Sequence, residues 1–177
     1  FDQNSGFLSD LITCGFELDN GDYYYGTFDK GILYKPNGKP MEQLVVMGAS
    51  TTVWAAEKGV DGKNWFGTQN ALISIDASGN TKVYYKQDYP GLPGTKIVSF
   101  VRLDENSMYI GGNDGVSLYR NGEFTKVGSR DDEYLGTVRD MEMVNGRLYC
   151  VSNLGAFEFR NNDFYPIRAS MGKVYYS

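Results

Sequence analysis

Histidine is missing from this chain of 177 residues. Its absence excludes Ser-His-Asp and Cys-His catalysis, and histidine-ligated metals, within the chain. Cysteine is nearly missing, with 2 in all, which leaves the redox compartment open. Basic residues are outnumbered, 17 against 22 acidic, and are scattered, for a net charge of −5. Nucleic acid and anionic membrane surfaces both require a basic patch, so neither is an expected partner. No apolar run approaches the ~18 residues of a membrane helix, so no direct membrane contact is expected of this segment. Gly-rich phosphate loops, metal-ligand spacings and a sustained helical period are also lacking. No metal or cofactor is expected.

What is abundant is aromatic residues and glycine, with Tyr 14, Phe 10 and Gly 22. Aromatics favour strands and glycine favours their turns. These residues are arranged in a repeat, in NGDYYYGTFDKGILY, DGKNWFGTQNALISI, ENSMYIGGNDGVSLY and NGRLYCVSNLGAFEF. Each carries an anchor aromatic, Tyr24, Trp65, Tyr109 and Tyr149, at intervals of 41, 44 and 40 residues. A period near 40 built from four short strands is the signature of β-propeller blades. The fold class is therefore all-β, four antiparallel four-stranded repeats arranged radially with the first strand of each innermost.

Each repeat divides into strands A to D. In the first, A covers about Ile12 to Leu18, B about Asp22 to Thr27 and C about Gly31 to Lys35, and D runs from Met41. The A–B turns fall at Asn20-Gly21, Asp61-Gly62, Glu105-Asn106 and Asn145-Gly146. Three of these are pairs that accept positive φ in a two-residue hairpin. The C–D turns carry Asn37-Gly38, Ser78-Gly79, Asn121-Gly122 and Asn161-Asn162. The blades extend over approximately 8–46, 50–87, 94–128 and 135–168, within a single propeller segment of 1–177. Both ends look cut inside a repeat, since the closing Gly172-Lys173-Val174-Tyr175-Tyr176-Ser177 is similar to the strand opening at Gly94. The expectation is a piece of a larger propeller protein.

The anchor aromatics recur at one position in every repeat, where a large ring fills the gap between adjacent sheets, so a core role is expected before a sugar-stacking one. Gly26, Gly67 and Gly111 follow two residues later, where a β-carbon has no room against the next blade. The fourth repeat has Val151 there, so its packing should differ. Cys14 falls on a strand A and Cys150 on a strand B, and both read as small buried hydrophobes.

The D–A and B–C loops of a propeller share one face, and function resides in such loops more than in the scaffold. Here the D–A loops supply Phe7, Tyr89, Arg130, Asp131 and Tyr134. The B–C loops supply Asp29, Lys30, Gln69, Asn70, Asn113, Asp114 and Asn153. Tyr89 and Tyr134 are the expected stacking rings, as they lie outside the anchor positions. Asn113 and Asp114 head a B–C loop and are the expected hydrogen-bonding partners. No catalytic residue is expected.

The second and third repeats resemble the two-component regulator propeller repeat. The matching stretch of the second is Val53 to Ile75, with Asp61-Gly62, Trp65-Phe66-Gly67-Thr68 and Ala71-Leu72. The third has Tyr109-Ile110-Gly111-Gly112 and Gly115-Val116, led in by Gly91-Leu92-Pro93. Ala71 in place of the usual glycine, and Cys150-Val151-Ser152 in the fourth repeat, depart from the pattern. The resemblance implies the periplasmic or extracellular sensor region of a hybrid two-component system, a non-catalytic module that binds glycan fragments and signals to a histidine kinase. An oligosaccharide ligand and self-association through propeller edges or faces follow as expected partners. The alternatives are a structural or protein-interaction propeller of a surface or secretion system, and a fragment of a carbohydrate-active or lyase propeller.

Overall fold

The computed structural model describes residues 6–128 and 135–167. Among the described residues there are 16 strands and no helix. Blade 1 contains β1 (Ile12–Glu17), β2 (Tyr23–Thr27), β3 (Ile32–Lys35) and β4 (Glu42–Leu44). Blade 2 contains β5 (Val53–Val60), β6 (Lys63–Thr68), β7 (Leu72–Asp76) and β8 (Thr81–Tyr84). Blade 3 contains β9 (Ile97–Arg102), β10 (Ser107–Gly112), β11 (Gly115–Arg120) and β12 (Glu123–Val127). Blade 4 contains β13 (Val138–Val144), β14 (Arg147–Ser152), β15 (Gly155–Arg160) and β16 (Asp163–Pro166). Each blade is one antiparallel sheet with its strands in chain order. The chain thus forms all-β propeller blades, as its repeat predicts.

Local chemistry sets the hairpins. Asp61-Gly62, Asn121-Gly122 and Asn145-Gly146 have positive φ at both positions, as does Asn161-Asn162. The residues flanking each pair face one another across the ladder, so all four are two-residue turns. Asn20-Gly21 corrects the sequence expectation. Glu17 pairs with Tyr23, leaving a wider loop. The cause is Asp22, whose carboxylate accepts hydrogen bonds from the Asn37 amide (2.7 Å), the Tyr34 hydroxyl (2.5 Å) and the Asn20 side chain (2.8 Å). These bonds hold the carboxyl below its ordinary pKa, the Tyr34 bond foremost, while Tyr34 is pushed up to about 12.

The blades pack through three apolar clusters, one per interface. Tyr24, Ile32, Val53, Phe66 and Ile73 fill the gap between blades 1 and 2. Trp65, Leu72, Tyr84, Ile97, Met108 and Tyr119 fill the next. Val101, Val116, Val138, Met141, Leu148 and Phe164 fill the third. Trp65 has no exposed surface, donates its indole N–H to the Val60 carbonyl at 2.8 Å, and lies edge-on to Tyr119 with centroids 4.7 Å apart. The Trp65 and Tyr24 anchors are therefore core, as expected, whereas Tyr109 and Tyr149 are half-buried and Tyr149 belongs to none of the three clusters. Cys150 belongs to the third cluster and Cys14 borders the first; both are free thiols. Burial pushes both thiols up, Cys150 to about 12.

Contacts between consecutive blades run from β1 to β5, β5 to β9 and β9 to β13. These first strands line the axis and the other three of each blade fan outward. Three glycines admit this approach. A β-carbon on Gly26 would lie 2.6 Å from Val53 Cγ1, on Gly67 2.7 Å from the Ile97 carbonyl oxygen, and on Gly111 2.7 Å from Val138 Cγ1. Each contact is with the first residue of the next inner strand. In blade 4 the position holds Val151, which is exposed.

Candidate functional site

The loop face is built by one hydrogen bond repeated in every blade. The residue that opens each B–C loop donates its N–H to the residue just before the inner strand: Phe28 to Leu11, Gln69 to Thr52, Asn113 to Lys96 and Asn153 to Thr137. In three blades an asparagine side chain adds a second tie, with Asn70, Asn113 and Asn153 accepting from the N–H of Ser50, Lys96 and Thr137. The inner strands enter this face at a fixed height.

Immediately below, every inner strand bulges. Ile12 and Cys14 pair with Thr27 and Gly26, Val53 and Ala55 with Thr68 and Gly67. Ile97 and Ser99 pair with Gly112 and Gly111, Val138 and Asp140 with Ser152 and Val151. The extra residues are Thr13, Trp54, Val98 and Arg139, one per blade. A bulge leaves its extra residue out of the ladder and re-aims its side chain. These four bulges therefore lie along an arc at the loop end of the inner strands.

Trp54 is the hub of that arc. It is half-buried, its indole N–H donates to Gln69 Oε1 at 3.1 Å, and Phe28 meets it edge-on with centroids 5.9 Å apart. Lys96 Nζ sits over the indole face, 3.8 Å from the ring centroid, within the range of a cation–π contact. Lys96 is held below its ordinary pKa, first by desolvation and then by the positive charge of Arg139. Arg139, on the bulge of β13, is exposed. Phe28, Trp54 with Gln69, Lys96, and Arg139 come from four blades in succession. The rim thus offers aromatic faces, an amide and two cations, a set that suits binding.

The described residues expected from sequence are engaged within the scaffold. Tyr89 is not a free stacking ring: it lies edge-on to Tyr84 (5.0 Å) and Phe124 (5.8 Å), packed against the second core cluster beside the outer strands β8 and β12. The Asn113 side-chain oxygen accepts the Lys96 N–H at 2.8 Å, a scaffold bond. Asp114 is ion-paired with Lys126 and lies 3.9 Å from Lys86. Tyr134 lies outside the described residues. Trp54 and Arg139 were missed because strict alternation along a strand aims them at a neighbouring blade. A signal did exist: Thr13, Trp54, Val98 and Arg139 each follow the β-branched residue that opens the inner strand, so they form a variable column in a constant frame.

The opposite end of the axis carries a concavity of about 420 Å³ among Leu18, Asp19, Lys58, Asn64, Arg102 and Glu105. Its cations are engaged within the protein. Lys58 donates to the Glu17 carbonyl (2.9 Å) and pairs with Asp19 (3.4 Å), and Arg102 donates to the carbonyls of Asp104 and Lys58 (both 3.2 Å). Among the described residues no group of His, Cys, Asp and Glu could hold a metal ion, and no helix is long and apolar enough to cross a membrane.

No protein-family model matches the sequence, and no curated protein matches it. Among solved structures, the chain is similar to the extracellular domain of BT3049 of B. thetaiotaomicron, named for a hybrid two component system, with a TM-score of 0.74 and 19% identity. That match covers 92% of this chain and 24% of the other. The corresponding domain of BT4673 from the same organism gives 0.71 at 15% identity, over 90% and 22% of the two chains. Virginiamycin B lyase of Staphylococcus aureus, in a form made catalytically inactive by replacing one histidine with alanine, gives 0.67 at 13% identity, over 91% and 57%. These likenesses establish the β-propeller fold. The chain spans about a quarter of the length of the two-component domains it matches.

Proposed function

We propose that the chain is a ligand-binding propeller module without catalysis of its own, acting as part of the extracytoplasmic sensor of a two-component regulator that responds to glycan fragments. The observation that carries this reading is the convergence of Phe28, Trp54, Gln69, Lys96 and Arg139 from four blades on one rim. Concave loop faces with aromatic walls and a few convergent polar groups are where propellers and other folds take small ligands. An indole and a phenyl ring fit the apolar faces of sugar rings, and Gln69 suits their hydroxyls. The propeller resemblance in the second and third repeats, and the likeness to the two extracellular domains, favour a sensor.

Binding is favoured over hydrolysis because Asp29, Asp114 and Asp140, described carboxylates at this end, are engaged within the scaffold by Ser9, Lys126 and Ser99. A lyase reading is disfavoured because the matched lyase was inactivated at a histidine, and this chain has none. Titrating the purified chain against a panel of oligosaccharides, followed by a product assay on every binder, tests the proposal. Saturable binding that Trp54→Ala weakens, without product, is expected. Saturable binding unaffected by Trp54→Ala would place the site elsewhere, and product formation would overturn the non-catalytic reading.

A further inference from the structure

We infer that the rim around Trp54 is built for an anionic saccharide, one whose carboxylate or sulfate group lies between Lys96 and Arg139. This deepens the proposed function and rests on the rim being the binding site. The chain has more acids than bases, 22 against 17, and some of its cations are paired with carboxylates. Lys63 is paired with Asp61, Lys86 and Lys126 flank Asp114, Arg147 meets Glu158, and Lys58 meets Asp19. Lys96 and Arg139 form no ion pair with a described residue, which is also true of Lys30, Lys35, Lys39, Lys82, Arg102, Arg120 and Arg160; what sets these two apart is their place beside the bulges around Trp54. They come from adjacent blades, Lys96 just before β9 and Arg139 on the bulge of β13, where the Thr137 hydroxyl donates to the Asn113 carbonyl across the interface at 3.4 Å.

Two like charges held near one another, with one partly desolvated, are unfavourable for the empty protein. The scaffold enforces the arrangement nonetheless. The Lys96 N–H is fixed by Asn113, its ammonium by the indole face, and Arg139 by the bulge of β13. An anion placed between them relieves the repulsion and forms charge-assisted hydrogen bonds, bidentate to the planar guanidinium. Desolvation lowers the pKa of Lys96 in the empty rim, and a bound anion opposes that by favouring the ammonium. The neighbouring rings of Trp54 and Phe28, with the amide of Gln69, supply apolar and hydroxyl contacts that a bare anion cannot use, which points to an anion carried on a sugar.

The test is calorimetric titration of the chain with three probes of equal length: a disaccharide ending in glucuronic acid, its neutral glucose counterpart, and a neutral disaccharide carrying one sulfate ester. The expected result is that an acidic probe binds at least roughly tenfold more tightly than the neutral one, the size of one charge-assisted hydrogen bond. That binding should weaken as sodium chloride is added. The carboxylate and sulfate arms tell which anion is preferred. Lys96→Met and Arg139→Gln should each reduce acidic binding by roughly tenfold and so narrow the ratio of acidic to neutral affinity, while Lys96→Arg retains most of that ratio. Thermal unfolding followed by circular dichroism, with each variant melting near the parent, shows that the loss is not unfolding.

Equal affinity for neutral and acidic probes, abolished by Trp54→Ala, would overturn the anion assignment and leave the binding reading standing. Acidic binding unchanged in both Lys96→Met and Arg139→Gln would also overturn it. Acidic binding with turnover would support the anion assignment while overturning the non-catalytic reading. No binding of any probe or of any panel oligosaccharide would overturn both.

Discussion

The two ends of the propeller axis are lined by the same four inner strands, yet they use charge in opposite ways. At the turn end Lys58 and Arg102 are tied to backbone carbonyls and to Asp19, so the concavity there is satisfied by the protein itself. At the loop end Lys96 and Arg139 are held near one another without a described acidic partner, over an indole. The difference originates in the backbone. At the turn end the inner strand runs into a two-residue turn in blades 2 and 4 and a wider loop in blades 1 and 3, and the cations there reach local carbonyls. At the loop end a bulge in each inner strand turns one residue per blade out of the ladder. The same scaffold thus supplies one end that stabilises and another that is available to recognise.

The largest effect should come from the core that supports both ends. Trp65→Ala empties a fully buried site between blades 2 and 3 and should cost roughly 3–5 kcal/mol, read as a fall in the urea midpoint. If this variant stayed as stable as the parent and lost ligand instead, the division between core ring and site ring would be wrong. Gly67→Ala should follow, at about 1–3 kcal/mol, because the added methyl meets the Ile97 backbone oxygen. That oxygen belongs to an inner strand and cannot rotate away. Both changes act on the ends only through the scaffold.

Asp61 comes next. Its carboxyl is held below the ordinary value, first by Lys63 and then by the Tyr119 hydroxyl at 2.6 Å, across the blade 2–3 interface. A depressed carboxylate stabilises the fold above its unfolded pKa, near 4, and that contribution is lost as pH falls through the lower folded value. The melting temperature should therefore decline below about pH 4. Asp61→Asn should flatten part of that decline and cost about 1 kcal/mol at neutral pH, discounted because the side chain reaches solvent. An unchanged acid profile in the variant would contradict the role given to Asp61.

The smallest stability effects should separate the two ends most sharply. Lys58→Met at the turn end should change stability by roughly 0–1 kcal/mol and leave ligand affinity alone. Arg139→Gln at the loop end should change stability by less than about 0.5 kcal/mol and still weaken an acidic ligand. Equal effects of the two on affinity would remove the distinction between the ends.

How much of this was legible in the sequence depends on the range of the interaction. The blade pattern was legible because its determinants are local. Asn-Gly and Asp-Gly pairs accept positive φ whatever surrounds them, and an aromatic followed two residues later by glycine marks strand B in three blades. The pattern even located the close approaches at Gly26, Gly67 and Gly111. Asn20-Gly21 misled because the Asp22 carboxylate, a side chain beyond the pair, reset the turn.

The site was much less legible. Tyr89, Asn113 and Asp114 lie in loops, and loop position alone made them candidates. Their engagement with Tyr84 and Phe124, with the Lys96 N–H and with Lys126 is a matter of which strands stand beside them. Trp54, Lys96 and Arg139 are far apart in sequence and belong to separate blades. The chain by itself determined four four-stranded units, most of their tight turns and the buried anchors Tyr24 and Trp65, because turn preference and strand alternation act over a few residues. Only the tertiary structure decided which side chains share the rim. A one-residue bulge reverses the face that alternation assigns, and the charge near Lys96 comes from the next blade.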